Sequence, residues 1–186
     1  MPTAGILLAA GGGTRFAGPE HKLRADAAGR PVVARALDAL TGSGLDRLVV
    51  VTGAAVIDDL VPAGVASIHN PDWASGQASS LATAVRWARA EGIDAVVVGL
   101  GDQPGVTAAS WRAVAAADGT PIAIATYEGR RGHPVRLDRT VWDRLPSDGD
   151  AGARALIAGS PELVTEVPCL GDPADVDTVE DLARWR

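Results

Sequence analysis

Several features are scarce or missing in this chain of 186 residues. A single cysteine leaves no internal disulfide and is typical of a reducing compartment. Aromatic residues make up only 4% of the sequence, so alanine, valine and leucine are expected to do most of the core packing. No apolar run reaches the ~18 residues that span a membrane, and the pattern of a signal peptide is missing. We therefore expect a cytoplasmic protein that does not contact membranes.

Positive charge is also limited. The 17 lysine and arginine residues are outnumbered by 23 acidic residues, which gives a net charge of −6. A domain that binds nucleic acid usually carries a basic patch, so we expect no nucleic-acid partner. The hydrophobic content of 47% and the length suit one domain, predicted to cover residues 1–186 without a linker or an internal repeat.

Apolar runs and helix-like stretches alternate along the chain. Strands are predicted at residues 4–10, 47–52, 66–69, 94–100 and 122–126, and residues 132–137 fit one arm of a β-ribbon. Helices are predicted at residues 32–40, 54–60, 79–90, 108–117, 151–158 and 179–185. Continuously apolar strands separated by helices indicate an α/β fold with a mostly parallel sheet and helices on both faces. Ligands bind beyond the carboxyl ends of such strands, so we expect the loops at residues 11–22, 70–80 and 101–106 to meet.

A glycine-rich loop follows the first predicted strand, in residues 8–16 (LAAGGGTRF). Successive N–H groups of glycines in such a turn form a concavity that binds anions, and Arg15 and Lys22 add positive charge. The combination predicts a polyphosphate site, with a plain flexible turn as the alternative. It is not a P-loop, because Lys22 is followed by Leu23 and no serine or threonine. It is not a dinucleotide fingerprint either, because Phe16 stands where the third glycine would be.

Acidic residues at two places could hold a metal ion. Asp102 directly follows an apolar strand, and Mg²⁺ is usually bound by one or two carboxylates together with phosphates and water. A turn-forming aspartate is the alternative for Asp102. Further along, Asp177 or Thr178 could cap the last helix. Asp175 or Asp177 could instead supply a second metal ligand if their segment folds back over the site.

Polar residues in two further loops are candidates for ligand contacts. Ser79 and Ser80 could bind a base or ribose, or could cap the helix that begins there. His133 lies in a tight turn and could touch substrate, or could be an ordinary surface histidine. No role is predicted for His21 or His69. The chain has neither the ligand spacing of a zinc site nor the Gly-x-Ser-x-Gly elbow of a hydrolase.

Six motifs in order give the chain a specific resemblance. They are LAAGGGTRF at residues 8–16 with Lys22, NPDWASGQASSL at 70–81, GDQP at 101–104, GHPV at 132–135, GDAGAR at 149–154 and DVDTVEDL at 175–182. Together they resemble the MobA/MocA-like nucleotidyltransferases, and most of all the molybdenum cofactor cytidylyltransferase branch. The resemblance covers almost the whole chain. It implies a Rossmann-like nucleotidyltransferase fold of the nucleotide-diphospho-sugar transferase type, in agreement with the predicted α/β sheet.

The resemblance also implies an activity. The expected reaction is the Mg²⁺-dependent transfer of CMP from CTP to the phosphate of molybdopterin, with release of pyrophosphate. Alanine at the position of Ala10 tends to accompany pyrimidine nucleotides in this family. The open alternatives are another phosphorylated acceptor (a sugar phosphate, methylerythritol phosphate or phospholactate) and a nucleotide-binding module without turnover. A transient contact with a molybdoenzyme or its chaperone would follow the reaction.

The resemblance assigns roles to residues as well. Arg15, Lys22 and Asp102 are the expected catalytic residues, and Asp102 would bind Mg²⁺ with Asp175 or Asp177. His133 and Asp150 lie in motifs expected to face the acceptor. The expected nucleotide-binding residues are Ala9, Ala10, Gly11, Gly12, Gly13, Ser79 and Ser80.

Overall fold

The computed structural model describes residues 1–185, and a seven-stranded sheet is its largest element. The sheet has the order β3-β2-β1-β4-β7-β6-β8, and β5 and β9 form a separate two-stranded sheet. The strands are β1 (Thr3–Ala9), β2 (Arg47–Thr52), β3 (Val65–His69), β4 (Ala95–Leu100), β5 (Gly105–Val106), β6 (Ile122–Tyr127), β7 (Arg130–Asp138), β8 (Val164–Pro168) and β9 (Gly171–Asp172).

The strand directions confirm the predicted mostly parallel α/β sheet. Strands β1, β2, β3 and β4 are mutually parallel, and β6 is parallel to β8. Only β7 runs against its neighbours β4 and β6 in this sheet, within the described residues. The β6–β7 hairpin turns through Glu128 and Gly129, which both have positive φ, as the tightest hairpin turns require. The predicted ribbon arm at 132–137 is therefore part of the main sheet.

Helices cover both faces of the sheet. The α-helices are α1 (Val32–Thr41), α2 (Gln77–Ala90), α3 (Ala108–Ala116) and α4 (Arg154–Gly159). Short 3₁₀ segments lie at Asp58–Leu60, Trp73–Ser75, Arg139–Arg144, Pro161–Leu163 and Glu180–Trp185. The predicted helix at 54–60 thus shrinks to one turn, and the last predicted helix is a 3₁₀ segment. Helix α4 begins three residues later than predicted, after Gly149 and Gly152, whose positive φ interrupts a helix.

Alternation along β1 shows how the sheet is buried on both sides. Successive side chains of a strand point to opposite faces. Ile6 and Leu8 pack with Leu81 of α2 on one face, while Leu7 packs with Leu37 of α1 on the other. With both faces covered, the carboxyl-terminal edge of the strands is where backbone and polar side chains can reach a ligand. No helix within residues 1–185 is both long and apolar enough to cross a bilayer.

Gly101 shapes that edge. A Cβ atom at this position would lie 3.0 Å from the Cβ of Ala9, so a side chain would press against β1. The backbone N–H of Gly101 instead donates to the carbonyl of Leu8 at 2.9 Å. Strand β4 can therefore leave the sheet close to β1, and this brings Asp102 beside the glycine-rich loop.

Candidate active site

Lys22 stands at the centre of the site. Its Nζ donates to Asp102 Oδ2 at 2.6 Å and to Asp177 Oδ1 at 3.0 Å. The Lys22 side chain is only 11% exposed. Burial by itself would lower the pKa of Lys22, but the two carboxylates outweigh it and raise that pKa above its usual value. The ammonium is therefore charged at neutral pH and links two segments that lie far apart in the sequence.

Asp177 reaches Lys22 because its segment folds back over the edge of the sheet. The backbone N–H of Val176, which is fully buried, donates to the carbonyl of Asp102 at 2.9 Å. The N–H groups of Asp177 and Thr178 both donate to Asp181 Oδ2, at 2.9 and 2.8 Å. These bonds lower the pKa of Asp181, so the turn is held by a carboxylate. The segment thus folds back over the site, which is the condition under which Asp175 or Asp177 could supply a second metal ligand.

Arg15 completes the charged cluster. Its Nη2 lies 2.9 Å from Asp177 Oδ2, although the Arg15 side chain is 74% exposed. Asp177 thus bridges the exposed guanidinium of Arg15 and the buried ammonium of Lys22. Both predicted cations are held by carboxylates, and a phosphate chain would compete for them.

Asp175 is placed differently from Asp177. Its Oδ1 accepts a hydrogen bond of 2.7 Å from Gln103 Nε2, and Gln103 also donates to the carbonyl of Pro173 at 3.0 Å. Desolvation, followed by the nearby charge of Asp102, raises the pKa of Asp175. Asp102 and Asp177, in contrast, share one cation. Of the two predicted alternatives, Asp177 therefore has the better position to act together with Asp102.

The Asp102–Asp177 pair fits a divalent cation. Within residues 1–185, no group of three or more histidine, cysteine or acidic side chains is arranged to hold a metal. Mg²⁺ does not need such a group, since it takes its other ligands from phosphates and water. The two carboxylates already converge on one positive charge, the Lys22 ammonium. A metal ion that arrives with phosphates would replace this charge.

The glycine-rich loop has unused backbone donors. The N–H groups of Gly11, Gly12 and Gly13 donate no hydrogen bond to any described residue. Gly13 has φ +60°, which favours glycine. A Cβ at Gly12 would lie 2.8 Å from Cζ3 of Trp73, so the indole supports the loop from the segment at 70–80. Together with the Lys22–Asp102 contact, this confirms that the three predicted loops meet.

Ala9 and Ala10 have buried side chains, so only their backbone can face a ligand. A Cβ at Gly53 would lie 2.6 Å from the carbonyl oxygen of Ala10, which itself accepts a bond of 3.1 Å from the N–H of Ala54. The end of β2 thus packs closely against the start of the glycine-rich loop. Small residues at these positions allow that approach.

Ser79 and Ser80 lie at the start of α2 and are buried. Asn70 Nδ2 donates to both hydroxyls, at 2.9 and 3.0 Å. The hydroxyl of Ser79 in turn donates to the carbonyls of Asp72 and Gly76. Both serines therefore stabilise the loop, and their contact with a nucleotide remains a prediction. Sequence reasoning missed Asn70, although an asparagine directly after a strand is a typical turn residue.

His133 lies in the wall of a cavity of about 680 Å³. Burial lowers the pKa of His133 to about 4, so its ring is neutral at physiological pH. Asp150 does not line this cavity. It lies beside Gly76, where Gly149 exchanges backbone hydrogen bonds with Ser75 and Ala78. The two residues with an expected acceptor role thus occupy different places.

The cavity combines an apolar floor with charged side chains, namely four arginines and the aspartates Asp172 and Asp175. Leu8, Leu81, Val98, Ile124, Val135 and Ile157 form the floor. The rim carries four arginines, of which Arg131 pairs with Glu166 and Arg184 with Asp172. Arg130 and Arg154 have no carboxylate within ion-pair distance in the described part of the chain. Sequence reasoning missed these arginines, although Arg154 ends the GDAGAR motif whose Asp150 is expected to face the acceptor.

The chain is similar to known proteins in both sequence and fold. The sequence model of the family described as MobA-like NTP transferase domain matches residues 5–166. This chain belongs to that family. Two solved structures share the fold of this MobA-like protein over nearly its full length. The homolog of Rv0371c from Mycobacterium sp. strain JC1 has 30% identity and a TM-score of 0.85, covering 98% of this chain and 94% of the other. Rv0371c from Mycobacterium tuberculosis H37Rv has 27% identity and a TM-score of 0.82, covering 99% and 97%.

Curated relatives extend the comparison of the MobA-like chain. The purine catabolism protein PucB of Bacillus subtilis (strain 168) is 27% identical over 191 residues, which cover 95% of this chain and 92% of PucB. The bifunctional protein GlmU of Caulobacter vibrioides is 45% identical over 53 residues, which are only 12% of GlmU. A further structure of Rv0371c, a complex with manganese, has 28% identity and a TM-score of 0.77, covering 100% of this chain and 98% of the other.

Proposed function

We propose that this protein is a Mg²⁺-dependent cytidylyltransferase that transfers CMP from CTP to the phosphate of molybdopterin and releases pyrophosphate. The observation that carries this proposal is the cluster of Lys22, Asp102 and Asp177 beside the free N–H groups of the glycine-rich loop. Membership of the MobA-like NTP transferase family supports the nucleotidyl transfer. The choice of CTP rests on Ala10 and the resemblance of the motifs.

The chemistry requires positioning and charge more than covalent participation by the protein. An oxygen of the acceptor phosphate attacks the α-phosphorus of CTP, and the bond to the bridging oxygen of the β-phosphate breaks, so that pyrophosphate leaves. The attacking oxygen is already anionic near neutral pH and needs no general base. Negative charge grows on the leaving pyrophosphate, and we assign its stabilisation to Arg15 and Lys22.

The carboxylates prepare the cations for this role. Before the nucleotide binds, Asp177 holds both Arg15 and Lys22 near the glycine-rich loop. In the complex, the N–H groups of the loop would bind phosphate oxygens, while Asp102 and Asp177 would hold Mg²⁺. An ion held by these two carboxylates would supply positive charge against the phosphates.

We assign the acceptor to the cavity next to this cluster. Its floor is apolar, which suits the flat face of a fused ring such as a pterin better than a sugar, whose hydroxyls need polar partners on several sides. Arg130 and Arg154 on the rim could attract anionic groups of the acceptor. His133, with its lowered pKa, would contribute a neutral ring to the same wall. These features favour molybdopterin over a sugar phosphate.

The reaction can be tested by pyrophosphate release. Each of the four NTPs is combined with molybdenum-loaded molybdopterin, a sugar phosphate, methylerythritol phosphate and phospholactate, with Mg²⁺ present. We expect release only with CTP and molybdopterin. Release with another acceptor would replace the proposed substrate, and NTP binding without turnover on any acceptor would indicate a binding module. The match of the family over residues 5–166 supports one catalytic domain, which would act in the cytoplasm and pass its product to a molybdoenzyme or its chaperone.

A further inference from the structure

We propose that His21 is a positioning residue that fixes the direction of the Gly12 N–H in the phosphate-binding loop. This inference rests on the proposed binding of a nucleoside triphosphate at that loop. His21 lies directly before Lys22, and a Cβ at Gly13 would lie 3.0 Å from its Nε2. The imidazole thus packs against the glycine-rich loop on one side, while Trp73 packs against Gly12.

The hydrogen bonds of the ring determine its tautomer. The backbone N–H of Leu23 donates to His21 Nδ1 at 3.2 Å, so Nδ1 acts as an acceptor and carries no proton. The proton is therefore on Nε2, which donates to the carbonyl oxygen of Gly11 at 3.0 Å. Both ring nitrogens are used within the protein, and neither is available to a ligand. Desolvation lowers the pKa of His21, which agrees with this neutral form.

Because the peptide group is planar, the hydrogen bond at the Gly11 carbonyl also sets the direction of the Gly12 N–H. The peptide between Gly11 and Gly12 is trans, so its C=O and N–H point in opposite directions in one plane. Holding the Gly11 oxygen against His21 directs the Gly12 N–H away from the imidazole. That N–H has no hydrogen-bond acceptor among the described residues. It is thus left as a donor for an anionic oxygen.

The Gly11–Gly12 peptide needs a contact that fixes its orientation, because the loop contains three consecutive glycines. Glycine has the largest conformational freedom of all residues, and a Gly-Gly peptide can rotate by large angles at little steric cost. A rotated peptide would present a carbonyl oxygen to the phosphate and repel it. His21 prevents this rotation and also ties the loop to Leu23, on the far side of Lys22. The Gly12 N–H and the Lys22 ammonium therefore keep a fixed position relative to each other.

Two substitutions separate the hydrogen bond from the volume of the ring. His21→Phe keeps a ring without the N–H, and His21→Gln keeps a donor that can reach the Gly11 carbonyl. His69→Phe is the matched control, because His69 is exposed at the end of β3. The probes are CTP and inorganic tripolyphosphate, which need no acceptor, and binding is measured by calorimetry. Thermal unfolding of each variant is recorded in parallel.

We expect His21→Phe to weaken the binding of both probes about tenfold, the effect of one lost hydrogen bond. We expect His21→Gln to recover most of the loss and His69→Phe to bind like the wild type. In the turnover assay, His21→Phe should raise the KM for the nucleotide more than it lowers kcat. Unchanged binding by His21→Phe, or equal losses in both His21 variants, would overturn the assignment while leaving the proposed function in place.

A spectroscopic measurement covers the case in which His21→Phe is less stable. The amide signal of Gly12 is followed by ¹⁵N-resolved NMR during titration with tripolyphosphate. We expect a large downfield proton shift in the wild type and in His21→Gln, and a small one in His21→Phe. An equal shift in all three proteins would contradict the inference. Failure of the wild type to bind either probe would refute the proposed function itself, and the inference with it.

Discussion

Replacing Lys22 with methionine should convert an internal ion pair into a stronger metal site. The Lys22 ammonium lies between Asp102 and Asp177, the two carboxylates that we propose as ligands of a divalent cation. Methionine keeps the length and the apolar stem of the side chain but removes the charge. Asp102 is then left without its counter-ion, and Asp177 keeps only the exposed Arg15. We expect the Lys22→Met variant to be less stable in metal-free buffer and to gain more from added Mn²⁺ than the wild type.

The size of this effect follows from burial. Breaking a fully buried ion pair costs about 3–5 kcal/mol, but these carboxylate side chains are 21% and 24% exposed, so we expect about 2 kcal/mol. In a protein of this size, 1 kcal/mol changes Tm by about 2–4 °C, so Tm should fall by about 4–8 °C. Mn²⁺ at 100 times its Kd returns about 2.7 kcal/mol to the variant. In the wild type, Mn²⁺ would have to displace the Lys22 ammonium, which lowers its affinity. Each tenfold loss in affinity for Mn²⁺ removes about 1.4 kcal/mol from the stabilisation that the metal gives the wild type.

The assay is thermal unfolding of nucleotide-free protein during a Mn²⁺ titration, with electron paramagnetic resonance as a direct measure of bound Mn²⁺. The control is the double variant Lys22→Met with Asp102→Asn, which keeps only the carboxylate of Asp177. We expect this control to lose most of the response to Mn²⁺. Stabilisation of the wild type by Mn²⁺ that equals or exceeds that of Lys22→Met would refute the idea that the lysine occupies the metal position.

Three further expectations concern single residues. Asp102→Asn should lower kcat/KM at least about 100-fold with little change in the circular dichroism spectrum, and turnover near the wild-type rate would remove Asp102 from the catalytic centre. Arg154→Ala should raise the KM for the acceptor about tenfold without changing the affinity for CTP. Arg131 is already paired with Glu166, so Arg131→Ala should change the KM for the acceptor little. Similar effects of both substitutions would contradict an acceptor role for Arg154. His133, with a folded pKa of about 4, should cost stability as the pH falls from about 6.5 to about 4, because the unfolded chain takes up a proton that the folded chain refuses. His133→Gln should therefore lose about 1–3 kcal/mol less than the wild type in urea unfolding between pH 7 and pH 4.5, and a parallel loss in both proteins would contradict this.

The fold could be predicted from the sequence where hydrophobicity alone decides. Strands such as β2 and β4 are continuously apolar because helices cover both of their faces, and their bounds differ from the prediction by at most one residue. Strand β8 (VTEVP) was missed because it lies at the edge of the sheet, where polar residues alternate with apolar ones and a proline is tolerated. The short segment at 54–60 was overestimated because its apolar residues pack against the core without forming a full helix.

Only the parts of the site that carry a local sequence signal could be predicted. The glycine-rich loop and Asp102 carry local signals, namely a turn directly after an apolar strand. The choice between Asp175 and Asp177 depends on how a distant segment folds back, and a spacing of two residues cannot decide it. The contact of His21 with Gly11 depends on a turn between residues that are 10 positions apart. Arg130 and Arg154 meet at one rim only because the β6–β7 hairpin and α4 pack around the same cavity.

The bond between Lys22 and Asp177 spans 155 positions of the chain, and this separation has a consequence for how the protein is made and monitored. During synthesis the glycine-rich loop emerges long before Asp177, so a ribosome-bound chain can hold Arg15, Lys22 and Asp102 before the second carboxylate is available. The affinity for a ligand of the charged cluster would then measure whether the segment with Asp177 has docked. The reverse also holds, since a ligand that binds the assembled cluster stabilises the docked segment by mass action. The rate at which a protease cuts near Asp177 would thus report occupancy of the site.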